Sequence, residues 1–186
     1  MPRKAPLHSA TRTSPAPSSE PSRSTPSPSS DSQTRPGSTP QTRYLTAQDI
    51  IDLHRGLSLE FGGHQATPGV VESQFGLLNT VQRPQATVFG KDAFPTFAEK
   101  ATALVFAMLQ NMPFFSGNRR VALASLIAFC ELNQRQLDFR LLDEKTAEQL
   151  VKKVATHRES GVPPENIFRD FRDLMNRAVV MVHRSG

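Results

Sequence analysis

The chain has 186 residues, no tryptophan, a single cysteine and a formal net charge of +5. One cysteine excludes an intrachain disulfide and fits a reducing compartment, and no apolar run is long enough for a transmembrane helix or a secretory leader. The charge is unevenly placed: residues 1–43 carry 6 basic and 2 acidic side chains, and the remainder carries 16 and 15.

Residues 1–43 also hold 9 of the 15 prolines, 11 serines and 6 threonines. Such a segment has too little apolar surface to offset its ordering entropy, so it is predicted to be a disordered basic tail. Its charge suits nucleic acid or acidic partners, although a solvated tail without a partner has the same composition. Its prolines oppose the amphipathic helix of a transit peptide, and a cytoplasmic location is expected. Residues 44–186 are predicted to form one nearly neutral domain.

Within that domain, Thr46-Ala-Gln-Asp49 has the logic of a capping box. Ile50, Ile51, Leu53, Leu57 and Leu59 then predict an amphipathic helix ended by Gly62-Gly63. A second helix is predicted from Gly69, after Pro68, to about Val81. Arg83 to Gly90 breaks the pattern, and Pro84 and Gly90 bracket a β-prone piece, Ala86 to Phe89, which reads as a loop or small hairpin flap. Pro95 opens a third helix from Thr96 to Asn111, and Pro113 ends it. The fourth helix runs from Asn118 to Asn133 and is so apolar that it is predicted to be central and buried. Cys130 lies inside it and reads as a small buried hydrophobe. Leu137 to Leu142 is predicted as a short extended connection, followed by a helix from Glu144 to His157. A last helix starts at Pro163-Pro164 and carries Ile167, Phe168, Phe171, Leu174 and Met175. The expected fold is mainly α, about six helices with a short β-prone flap.

The chemistry concentrates in Asn111-Met-Pro-Phe-Phe-Ser-Gly-Asn-Arg-Arg120. A Gly-Asn-Arg-Arg run at the mouth of an apolar helix brings free N–H groups, a positive dipole end and guanidinium groups to one place. Two arginines there oppose the macrodipole by about 0.3–1 kcal/mol each unless an anion is present. That cost points to an anion site, against the simpler reading of a helix start with two exposed arginines.

The run resembles the signature loop of the Fic/Doc (Fido) family, His-x-Phe-x-Asp-Gly-Asn-Lys-Arg. The resemblance extends to Leu53-His54-Arg55, Phe61-Gly-Gly63, Glu72-Ser73, Arg83-Pro84, Phe89-Gly90, Pro95, Glu99-Lys-Ala101 and Ala124 to Asn133. It covers Ala47 to Asn133 well and is closest to the Doc (death-on-curing) branch. It implies a helical Fido fold, ATP and Mg²⁺ as cofactors, and transfer of a phosphoryl or nucleotidyl group to a hydroxyl of a target protein. For the Doc branch it implies elongation factor Tu as target, arrested translation, and a small antitoxin as partner.

By the same resemblance, Gly117 lets backbone approach the phosphates, and Asn118 hydrogen-bonds a phosphate oxygen and fixes the loop. Arg119 stands where the Doc branch has Lys, Arg120 holds phosphates, and Phe114 anchors the loop in the core. Two positions depart. Met112 occupies the place of the catalytic His and has no titratable group. Ser116 occupies the place of the acidic residue that helps hold Mg²⁺, and hard cations favour carboxylate oxygens. The second arginine of the nucleotidyl-transferring branch falls at Leu123, which fits the Doc branch. No Ser/Thr-x-x-x-Glu-Gly/Asn inhibitory signature occurs, so any inhibitor is expected on another chain.

His64 is a conceivable replacement base, with a solvent-facing loop residue as the simpler reading. His54 and Glu72 read as structural, Asp92 as a residue that a metal could approach, and Met112 as packed on Phe115 or its neighbours. Three functions stay open: a phosphotransferase toxin, a Fido pseudoenzyme that binds a nucleotide or partner without turnover, and an antitoxin-binding scaffold.

Overall fold

The structure is a computed structural model that describes residues 41–62 and 67–182. The tail through residue 40, Gly63 and His64 lie outside the described residues. Six helices dominate: α1 (Ala47–Phe61), α2 (Gln74–Gln82), α3 (Phe97–Asn111), α4 (Asn118–Leu132), α5 (Glu144–Ser160) and α6 (Pro164–Ala178). Four short strands join them in two antiparallel pairs, β1 (Thr87–Val88) with β2 (Lys91–Asp92), and β3 (Arg135–Leu137) with β4 (Val179–Met181). Among the described residues, no helix is long and apolar enough to cross a membrane.

Local chemistry explains the starts of the helices. Thr46 and Thr96 form capping boxes with Asp49 and Glu99, satisfying N–H groups at the mouths of α1 and α3. Ser73 and Asp143 cap α2 and α5. Pro164 sits in the first turn of α6, where a missing N–H does no harm.

The central helix is α3, a correction to the expectation for α4. Eleven of the fifteen residues of α3 are buried, against six of fifteen in α4. It touches α2, α4, α5, α6 and the 3₁₀ turn Arg83–Gln85. Its many alanines let neighbours approach from every side, whereas α4 leaves Ile127 at the surface.

Two further expectations are revised. The second helix starts at Gln74, five residues later than Gly69. Gly69 has φ +73, Val71 makes a β-bridge with Phe114, and the Glu72 and Ser73 N–H groups donate to the Pro113 carbonyl. These tertiary bonds hold residues 71–73 out of the helix, beside the loop after α3. The connection expected at Leu137–Leu142 is instead the end of β3 and a turn in which Leu141 and Leu142 donate to Asp138. Its partner β4 follows α6 directly, and Asp138 donates to the Ala178 carbonyl at 2.7 Å.

The β-prone piece is a hairpin flap. Phe89 and Gly90 both have positive φ, the pattern of a two-residue type I′ turn. Phe89 is fully exposed at its tip. Lys100 of α3 is buried and donates to Asp92 of β2 at 2.8 Å, tying the flap to the core. Burial opposes the Lys100 ammonium, but Asp92 and Tyr44 together outweigh it and hold its pKa above the ordinary value.

Candidate functional site

Residues Met112 to Gly117 link the central helix to α4 and carry the site. Met112 closes α3 in the left-handed conformation, φ 38 and ψ 62, which non-glycine residues rarely adopt. Its side chain is 60 % exposed, so it is a surface residue of the loop and not a filler packed in a gap. Pro113 then blocks continuation of the helix, and its carbonyl accepts from Glu72 and Ser73.

Phe114 turns inward and is 1 % exposed. Its ring lies parallel to the imidazole of His54, with centroids 3.9 Å apart. Asn118 clamps the same residue from the other side. Its Oδ1 accepts from the Phe114 N–H at 3.0 Å, and its Nδ2 donates to the Phe114 carbonyl at 2.6 Å. Phe114 is thus held by its side chain in the core and by both of its backbone groups.

His54 completes the support. It is fully buried in α1. The Gly69 N–H donates to Nδ1 at 3.0 Å, so Nδ1 carries no proton. In the neutral ring the proton is therefore on Nε2, which donates to the Ser116 carbonyl at 3.2 Å, with Ser58 Oγ 3.3 Å away.

Burial pushes the His54 pKa below the ordinary histidine value, although the Ser116 carbonyl acts the other way. The unfolded chain therefore binds more protons than the folded one once pH falls below about 6.5. This contribution to stability is present in full above that pH and is lost progressively below it. The charged groups on the flanking described segments are the Asp52–Arg55 pair, Glu72, Arg119 and Arg120, all exposed. Wild type is expected to lose melting temperature between pH 7 and pH 5 by more than a His54→Gln variant does, as read by thermal unfolding.

Gly117 has φ +76 and is the N-cap of α4. A Cβ there would meet the His54 ring at an ordinary 3.7 Å, so backbone conformation, not space, calls for glycine. No side chain caps α4. Arg119 is exposed at its first turn. Arg120 is exposed too, and its Nη1 donates to the Phe61 carbonyl at 3.0 Å while its guanidinium lies 5.8 Å from the Phe61 ring. That carbonyl belongs to the C-terminal turn of α1, the negative end of its dipole.

A model of the Fic/DOC family matches residues 44–130. The chain is 38 % identical over 118 residues to toxin Doc of Mycolicibacterium smegmatis (strain ATCC 700084 / mc(2)155), covering 62 % of this chain and 82 % of that protein. The chain belongs to the Fic/DOC family. No solved structure matches it significantly.

Two positions of this loop leave chemical gaps. Met112 offers no proton acceptor. Ser116 is exposed and neutral, and no group of three or more His, Cys, Asp or Glu side chains that could hold a metal occurs among the described residues. The loop from Asn111 to Arg120 thus offers Mg²⁺ no carboxylate oxygen, the ligand that hard cations favour. Asp92, considered as a residue near a metal, is engaged by Lys100. His64 lies outside the described residues. Cys130 is buried, and burial pushes its thiol up to about 12, with Arg135 and Glu131 acting in opposite, smaller ways. It is no nucleophile at neutral pH.

The start of α4 has no side-chain cap, follows the left-handed Gly117 and carries the exposed Arg119 and Arg120 in its first turn. A groove of about 1010 Å³ also opens between the base of the flap at Ala86 and Thr87, Asn111 at the end of α3, and Phe168 of α6. Sequence reading did not single out this groove, because its walls come from four segments far apart in the chain.

Proposed function

We propose that this protein is a Doc-type Fido domain of toxin–antitoxin descent that binds the phosphates of ATP at Gly117 to Arg120 without efficient transfer. The observation that carries the reading is the contrast within one loop. The α4 N-terminus is open and flanked by Arg119 and Arg120, while Met112 and Ser116 supply neither base nor carboxylate. Arg120 would leave the Phe61 carbonyl to meet a phosphate. Asn118 keeps its clamp on Phe114 and offers its remaining amide hydrogen. The similarity to toxin Doc supports a small antitoxin as protein partner. The exposed flap, with Phe89 at its tip, suits the docking of a target protein such as a translation factor.

The loop itself brings no carboxylate to a cation. What the chain's own groups can do is bind a polyphosphate, orient it along α4 and hold the loop around it. The test is incubation of the wild-type protein with γ-labelled and α-labelled ATP and purified elongation factor Tu. No label above background is expected. Incorporation of either label by wild type would overturn the reading and restore the phosphotransferase or nucleotidyltransferase alternative.

A further inference from the structure

The side chain of His54 touches three parts of the site at once. It reaches from α1 to the turn at Gly69, to the Ser116 carbonyl and to the face of Phe114. The Ser116 carbonyl belongs to the peptide unit that delivers the chain into Gly117. Its direction sets how the next turn begins, and so where the first N–H groups of α4 point. Asn118 fixes Phe114 two residues earlier, but it leaves Ser116 free. Among the described residues, Ser116 is otherwise exposed, and the bond from His54 is what orients its backbone.

We propose that His54 is a positioning residue for the anion site: its Nε2–H bond to the Ser116 carbonyl aims the start of α4, while its Nδ1 bond to Gly69 selects the tautomer that can make it. The inference rests on the reading of the loop as a phosphate site. The roles of the two nitrogens differ. Nε2 acts on the loop, and Nδ1 acts by keeping the proton on Nε2. Stacking on Phe114 holds the ring in the plane where both bonds form.

That division makes a test with two near-isosteric variants. The amide nitrogen of Gln falls close to Nε2 of a histidine, and the amide oxygen of Asn close to Nδ1. His54→Gln therefore retains the donor to Ser116 and loses the Gly69 contact, and His54→Asn does the reverse. Each variant is titrated with ATP by calorimetry, at the same temperature, well below its own melting point. His54→Gln is expected to bind within about threefold of wild type, and His54→Asn to bind roughly tenfold or more weakly, the scale of one lost hydrogen bond. A merely structural role lowers melting in both variants and leaves both affinities alike. Equal affinities, or a weaker Gln than Asn variant, would overturn the proposal.

Two further measurements keep it decidable. Nitrogen-15 NMR of the wild-type imidazole is expected to show Nε2 protonated and Nδ1 bare, and the opposite tautomer would sink it. If wild type binds no ATP, the phosphate reading has failed on its own. Hydrogen exchange at Gly117 to Arg120 then decides the positioning. Faster exchange in His54→Asn than in His54→Gln supports it, and equal rates refute it.

Discussion

Replacing Met112 by His and Ser116 by Asp together is expected to raise label transfer from ATP to elongation factor Tu by about 10²–10⁴, the usual worth of a positioned general base. The backbone is already shaped for the change. Met112 is 60 % exposed at the lip of the loop, so an imidazole there meets no packed neighbour. Its left-handed conformation is held by a bond from its N–H to the Met108 carbonyl at 3.1 Å and by Pro113 behind it. Ser116 is exposed as well, so a carboxylate at that position stays solvated until a cation arrives. The single variants are expected to gain far less, because base and cation act in one transition state. A double variant as silent as wild type would mean that the loop no longer presents a reactive geometry.

Phe114→Ala is expected to cost about 3–5 kcal/mol of stability, the range for removing a large aromatic from a core. The ring is 1 % exposed and stacked on His54, so the cavity left behind has rigid walls. Domains of this size are stable by only about 5–15 kcal/mol, so the midpoint of urea unfolding should fall sharply. The effect should also reach the site, because Asn118 holds the loop only through the backbone of this residue. Phe115→Ala next door is the control. Phe115 is 62 % exposed, and its loss should change the midpoint little.

The parts of this fold legible in the sequence were those with local causes. Thr46 with Asp49 and Thr96 with Glu99 announce helix starts because each pair satisfies N–H groups within one turn. The flap followed from Pro84, Gly90 and the β-prone residues between them. What escaped was set by distant neighbours. Residues 71–73 have helix-compatible side chains, yet the Pro113 carbonyl and Phe114, some forty positions away, hold them out of the helix. The pairing of β3 with β4 also joins segments more than forty residues apart. The rank of α3 over α4 depended on how many helices gather round each, which apolar content does not reveal.

The site shows the same division. Gly117, Asn118, Arg119 and Arg120 are consecutive, so their resemblance to a phosphate loop was visible at once. Phe114 was expected as the anchor from the family resemblance, which picks it over its neighbour Phe115. The support from His54 was not, since it crosses 62 positions to reach Ser116. A histidine on the face of α1 that also carries Ile50 and Leu57 was the available signal, and it pointed to structure without naming the partner.

On the proposed function, the anion-holding half of the loop survives without the metal-holding half. The most direct measurement is the melting temperature of wild type with ATP, in Mg²⁺ and in EDTA, beside an Arg119→Ala/Arg120→Ala variant. At an ATP concentration near 100 times Kd, linkage gives about 2.7 kcal/mol, a shift on the order of 10 °C. That shift is expected for wild type, equal with and without the cation, and is expected to be lost in the double variant. No shift in wild type, or a shift that the arginine-free variant keeps, would contradict it.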